Sequence, residues 1–288
     1  MYHFACLLII CGYMGWPLVG TEASGDTIAL FYALDRDLTA LKREADEFYS
    51  TIKVGRRSLS EFRVGDHKVV AVQMGSGNVE SALSAQALLS QFRCDLAISI
   101  GPAGCLDTCE SLVGTWHRVD RVTYAPKGTE TASGFQLHER STLHLNVFFR
   151  DPATGINDDW PSTPTTLVSG EAFISSQAAR EKLYALTDAP LVDMNSYGVA
   201  MACIDHRVPL LLLRVVSDMA DESAGDSFRN FIASYDGEGA RLGARLIRKL
   251  DPNPDAPESY PNIRRVLSAG TLDEAEKAMQ APDTPAVE

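Results

Sequence analysis

Leu210-Leu-Leu-Leu-Arg-Val-Val-Ser-Asp-Met-Ala-Asp221 is the stretch that decides the fold. Its leucines run on without a polar break, too apolar to alternate between a core face and a wet one. Leu210–Val216 therefore reads as a strand buried on both sides, the kind found in sheets covered by helices. The run carries Arg214 and ends on Ser217 and Asp218. Charged groups delivered by a buried strand are costly unless matched or used, and in α/β sheets sites collect at the carboxyl edge. Asp218 is thus the first candidate for chemistry, and Arg214 shares its face if the strand continues.

Working outward, strands and helices alternate. Thr27–Leu34 reads as a strand and Asp35–Tyr49 as a charged amphipathic helix. Lys68–Gln73 is a strand, Gly75 and Gly77 form a turn, and Val79–Phe92 is a helix whose first amides could hold an anion. Asp95–Ile100, Val113–Val122 and Thr165–Val168 read as strands. Ser176–Leu186 and Ser196–Ile204 read as helices, and Ser227–Leu250 closes as one long helix. Phe148–Pro164, rich in Asp, Pro and Gly, reads as a loop or insertion. This alternation predicts a three-layer α/β/α sandwich around a central mixed sheet.

The chain has 288 residues, 45% of them apolar, enough for one large domain over residues 27–250. A net charge of −12 with no Lys/Arg-rich run argues against nucleic acid or an anionic membrane surface as a partner. A small neutral or cationic substrate fits better. Residues 1–23 hold an apolar stretch, Phe4–Gly20, broken by Gly and Pro and followed by Thr21-Glu-Ala-Ser-Gly25. They look like a secretory signal cut near Ala23, which predicts an exported protein with no stable membrane association after cleavage. No Lys or Arg precedes the apolar core, so an uncleaved anchor or a mis-assigned start stays open. Residues 251–288 read as a Pro-rich linker and tail, with a short helix over Thr271–Gln280. Cys94, Cys105, Cys109 and Cys203 contain no Cys-x-x-Cys pair, which speaks against a metal site. Cys105 and Cys109 could pair in an exported chain; small buried thiols are the other reading.

Three segments carry a family resemblance. Val69-Val-Ala-Val-Gln-Met-Gly-Ser-Gly-Asn-Val-Glu-Ser-Ala-Leu83 is a strand, a Gly-x-Gly turn and a helix. Leu167-Val-Ser-Gly-Glu-Ala-Phe-Ile174 is followed by Val192-Asp-Met-Asn-Ser-Tyr-Gly198, and then by the Arg214/Asp218 segment. In this order the chain resembles the nucleoside phosphorylase/nucleosidase superfamily, and within it the methylthioadenosine/S-adenosylhomocysteine nucleosidases.

The resemblance implies cleavage of a purine N-glycosidic bond with no cofactor and no metal. Such a reaction needs an acid at the base, acceptors around the sugar and an oriented water. Asp218 falls on the purine-facing acid, supported by Ser217, and Arg214 on the residue that helps hold water and sugar. Asp37 falls on the water-activating glutamate, one methylene shorter. Phe173 and Ile174 fall on the purine slot, Phe228 on the pocket for the 5′-substituent, and Met194 on the sugar. Asn195 stands where the family has a ribose-gripping glutamate, and supplies an amide without the charge. The strand Ala97–Gly104 lacks the arginine that holds phosphate in the phosphorylase branch, and Pro102 takes the turn position of a serine. Water is therefore the expected nucleophile. A phosphorylase, and a nucleoside-binding protein that has lost catalysis, are the rival readings. The resemblance also implies a homodimer.

Overall fold

A computed structural model describes residues 25–107, 113–125, 127–137, 141–145 and 164–250. The expected signal, the residues 251–288, Cys109 and nearly all of the Phe148–Pro164 loop lie outside the described residues.

In chain order the elements are β1 (Thr27–Tyr32), α1 (Asp35–Glu44), β2 (Glu47–Val54), β3 (Arg57–Val64), β4 (His67–Gln73) and α2 (Asn78–Leu89). Next come β5 (Leu96–Cys105), β6 (Trp116–Tyr124), β7 (Gly128–Thr131), β8 (Gly134–Leu137), β9 (Thr142–His144) and β10 (Pro164–Ser169). The chain closes with α3 (Gln177–Thr187), β11 (Leu191–Asp193), α4 (Ser196–Asp205), β12 (Leu210–Asp218), α5 (Ala224–Ser234) and α6 (Glu238–Lys249).

The main sheet runs β11-β10-β6-β12-β5-β1-β4-β3-β2, with β9 hydrogen-bonded to β6. It is mixed: β12 lies parallel to β5 and antiparallel to β6. Because β11 pairs with both β10 and the end of β5, strands β5, β12, β6, β10 and β11 close into a ring. β12 is one strand of that ring, flanked by β5 and β6, with every residue buried as its apolar run requires. Alternate residues of β12 feed two cores. Leu210, Leu212 and Val216 pack with α2 and α4, whereas Leu211 and Leu213 pack with α1 and α6. Helices thus cover both faces, the α/β/α arrangement expected from the sequence.

Several expected boundaries move. The helix expected over Asp35–Tyr49 stops at Glu44, and residues 47–54 form the outer strand of a β2–β3 hairpin that periodicity did not reveal. The long helix expected over Ser227–Leu250 is two helices. Its break falls at Gly237, whose φ of +88° disfavours a side chain and where a Cβ would lie 2.4 Å from Ala40 Cβ. The bend lets α6 pack along α1. Pro102 lies within β5 and not in a turn, since the strand continues to Cys105 beyond the end of its pairing with β1.

Candidate active site

Asp218 is the last residue of β12. The register with β5 slips between Val216 and Asp218, so the simple alternation that would have put Arg214 and Asp218 on one face is lost. The side chain is nonetheless fixed. Ser217 Oγ lies 2.8 Å from Asp218 Oδ2 and 3.2 Å from Ala103 O, and Ala220 N donates to Oδ1 at 3.0 Å. Burial pushes the Asp218 carboxyl above the usual aspartate range, partly offset by the Ser217 and Ala220 hydrogen bonds. A carboxyl so raised keeps its proton to higher pH than an exposed aspartate, which suits it to act as a proton donor.

Arg214 occupies the α2/α4 side of β12 and is wholly buried, 0% exposed. Its Nε donates to Asp193 Oδ2 at 2.8 Å, while Nη1 reaches Leu213 O at 2.8 Å and Ser99 O at 3.3 Å. Nη2 donates to Ser99 Oγ at 3.3 Å. Asp193 in turn accepts from Ser169 Oγ at 2.7 Å, Ser196 Oγ at 2.5 Å and the Asn195 and Ser196 amides. The guanidinium thus ties the turn between β11 and α4 to β12 and β5, and is itself shut off from solvent.

That turn carries Met194, half-buried, and Asn195. Asn195 Nδ2 donates to Gly75 O at 3.0 Å, and its own carbonyl accepts from Ser81 Oγ at 3.0 Å. Asn78, the first residue of α2, ties the neighbouring segments together. Its Oδ1 accepts from Ser169 Oγ at 3.0 Å and Gly198 N at 2.9 Å, and its Nδ2 donates to Gly170 O at 2.9 Å. The Gly75 turn, the Ser169–Gly170 turn and the Asp193–Asn195 turn therefore meet at one place.

The loop after β10 holds the expected purine slot. Phe173 is 44% exposed and its ring lies 5.7 Å from that of Phe228, tilted by 56°. Ile174 packs against a small core of Leu106, Val168, Ala189, Val192 and Ala220. The first turn of α3, which follows that loop, is latched to the exit of β12: Gln177 N donates to Glu222 Oε1 at 3.1 Å, and Arg180 Nη1 to Met219 O at 3.1 Å. The aromatic pair and Asp218 are thereby held by one connected stretch.

Asp37 is the expected catalytic residue that the structure does not bring to the others. Its Oδ1 accepts from Tyr235 Oη at 2.6 Å and from Ala240 N at 3.3 Å. Both partners belong to the α6 side of the sheet, whereas Arg214 and Asp193 lie on the α2/α4 side. Burial raises the Asp37 carboxyl to about 6, against the lowering effect of the Tyr235 hydrogen bond.

The phosphorylase superfamily profile matches residues 27–249 of this sequence. The chain belongs to that superfamily. Among sequence relatives, it is 30% identical over 233 residues to a 5′-methylthioadenosine/S-adenosylhomocysteine nucleosidase of Staphylococcus aureus, covering 77% of this chain and 100% of that one. The corresponding Staphylococcus saprophyticus enzyme is 28% identical over 234 residues, again 77% and 100% covered. An S-adenosylhomocysteine nucleosidase structure from Streptococcus pyogenes superposes with a TM-score of 0.67 at 20% identity, covering 79% of this chain and 98% of that one. A futalosine hydrolase from Helicobacter pylori gives 0.64 at 20% identity, covering 78% and 96%. At those identities the two structures speak for the fold.

Within this superfamily fold, the sequence reading missed two residues that organise the site. Asp193 received no role of its own, although it lies inside Val192-Asp-Met-Asn195, next to the expected ribose contacts Met194 and Asn195. Asn78 gave no signal beyond following the Gly75–Gly77 turn, because its partners lie about a hundred residues away.

Proposed function

We propose that the chain is an N-ribosyl hydrolase releasing the purine from nucleosides of the 5′-methylthioadenosine and S-adenosylhomocysteine type. The observation that carries this reading is Asp218: a buried carboxyl, held by Ser217 and the Ala220 amide, at the mouth of the sheet. Protonated Asp218 gives its proton to the purine at N7. The bond from C1′ to the base breaks with its electron pair going to the base. Water then adds to C1′ and releases a proton, which restores Asp218 through solvent. Phe173 and Phe228 flank base and 5′-substituent, Ile174 lines the slot, and Met194 with Asn195 meets the ribose. Arg214 acts through Asp193 as a positioning residue. Asp37 is given no part in the chemistry, because its hydrogen-bonded neighbours are Tyr235 and α6.

The relatives' nucleosidase activity and the missing arginine in Ala97–Gly104 support water over phosphate. A homodimer is part of the reading, supported by exposed Val79 and Leu83 on α2 and Met201 on α4. These residues leave an apolar face where a second copy would pack.

The test is base release from 5′-methylthioadenosine, adenosine and inosine, with Asp218→Asn beside the wild type. Release is expected without phosphate and should fall roughly 10²–10⁴-fold in the variant, the usual worth of a general acid. Release that survives Asp218→Asn would remove that residue from its role. Saturable nucleoside binding with no release from any of the three would favour the binding-protein reading, for which Asn195 in place of a carboxylate is the specific observation.

A further inference from the structure

The turn Gly75-Ser-Gly77 opens α2, and backbone amides at such a helix start attract an anion. A group of the chain itself occupies that position. Glu171 sets Oε1 3.1 Å and Oε2 3.2 Å from Asn78 N, the first amide of the helix. The Tyr124 hydroxyl bonds the same carboxylate. Gly77 is the N-cap residue and contributes no side-chain cap. A Cβ at Gly77 would fall 2.7 Å from Glu171 Oε2, at a φ of +92°. An ordinary cap would be supplied locally by Ser, Thr or Asp at this position. Here the position is stripped bare and the cap comes from 93 residues away, in the loop that leads to Phe173.

The location matters because Gly75 O is the partner of Asn195 Nδ2, so the turn borders the sugar-facing residues. A phosphate approaching C1′ from this side would have to share the α2 amides with a carboxylate already bonded to them. Like charges at such range repel, and Ala97–Gly104 offers no arginine to compensate.

We infer that Glu171 is a specificity-determining residue: its carboxylate fills the anion seat at the start of α2 and keeps phosphate out, leaving water as the nucleophile. The choice of nucleophile rests on the hydrolase reading above. Occupancy of the seat does not.

The experiment uses the full chain and inorganic phosphate, with sodium chloride at matched ionic strength as the control. Thermal unfolding and base release are followed as phosphate is raised, for the wild type, Glu171→Ala and Glu171→Gln. The wild type should respond to phosphate no more than to chloride. Both variants should gain a saturable rise in melting temperature, with phosphate bound about 5- to 30-fold tighter than by the wild type, the range a charge at a helix start commands. In the variants, phosphate should also slow base release or divert the sugar to its 1-phosphate. Variants that melt lower but ignore phosphate would reduce Glu171 to a plain cap and overturn the inference. So would a wild type that binds phosphate saturably. The isosteric glutamine keeps the test alive if the alanine variant does not fold. If the wild type releases no base, the hydrolase reading fails, while the melting curves still decide who occupies the seat.

Discussion

Asp193 and Asp37 are both buried aspartates, set on opposite faces of one sheet and held in opposite ways. Asp193 meets a guanidinium, two serine hydroxyls and two backbone amides, so its charge is matched and its lone pairs are used. Asp37 meets the neutral Tyr235 hydroxyl, a long contact to Ala240 N, the Leu34 backbone and the more distant charge of Arg241, with no guanidinium bonded to it. Among the described residues its Oδ2 is buried with no hydrogen-bond partner, as is Trp116 Nε1, which packs against the start of α6. The difference teaches that depth alone does not identify a working carboxylate. On the α2/α4 side, charge is fixed to hold the turn that carries Met194 and Asn195. On the α1/α6 side, the same group carries an unpaid desolvation cost, and burial raises its pKa to about 6.

The strongest way to break this comparison is to remove the cation from the matched side. Arg214→Met should cost about 3–5 kcal/mol, because it leaves Asp193 buried without its partner. Urea unfolding at pH 7 measures it. A loss under about 1 kcal/mol would mean that the serines and amides alone satisfy Asp193, and that the ion pair does not position the turn. Adding Asp193→Asn to Arg214→Met should recover part of the loss, since the stranded charge then disappears.

The matched side was largely legible in the sequence, and the unmatched side was not. Arg214, Ser217 and Asp218 lie on one strand whose apolar run announces its burial, so their burial is a local property, whereas the slip in register that separates Arg214 from Asp218 is not. Phe173 and Phe228 needed the family resemblance to be paired, because they are distant in sequence and each reads alone as a core residue. Asp37 reads as a residue at the start of a helix, as found, but its partners could not be read. Its position depends on Tyr235, which sits in the break between α5 and α6, and that break was itself hidden inside what reads as a continuous helix. The β2–β3 hairpin was lost for a related reason. β2 is an edge strand with mostly exposed residues, so it carries little of the apolar alternation that reveals a strand.

The next test acts on the unmatched side, where the sign should reverse. A folded-state pKa raised from 3.8 to about 6 means that the folded protein holds the Asp37 proton more tightly than the unfolded chain does. Its contribution to stability is fully present below pH 3.8 and is lost as pH rises through about 6. Asp37→Asn should therefore stabilise the protein at pH 7, by up to about 3 kcal/mol, and change little below pH 4. Asp26 and Asp218 are also raised and titrate in the same sense, so the quantity to read is the difference between variant and wild type across pH. Base release should stay within a few-fold of the wild type. A variant that is less stable at pH 7 would refute the account of the orphaned oxygen. A variant that folds but releases no base would return Asp37 to the water-positioning role that the family resemblance assigns it.

The smallest effect isolates the one good hydrogen bond that Asp37 does make. Tyr235→Phe removes the donor to Asp37 Oδ1 and the acceptor for Gly239 N. Stability at pH 7 should fall by about 1–2 kcal/mol, the worth of a buried bond to an ionised group less some relaxation. Because that bond lowers the Asp37 pKa, its loss should also move the pH window of the preceding test upward. In the Asp37→Asn background the same substitution should cost less, with a coupling of at least ~0.5 kcal/mol between the two positions. Strict additivity, with the pH window unmoved, would mean that Tyr235 serves only the start of α6. The two faces would then differ in packing, and not in how each one treats a buried charge.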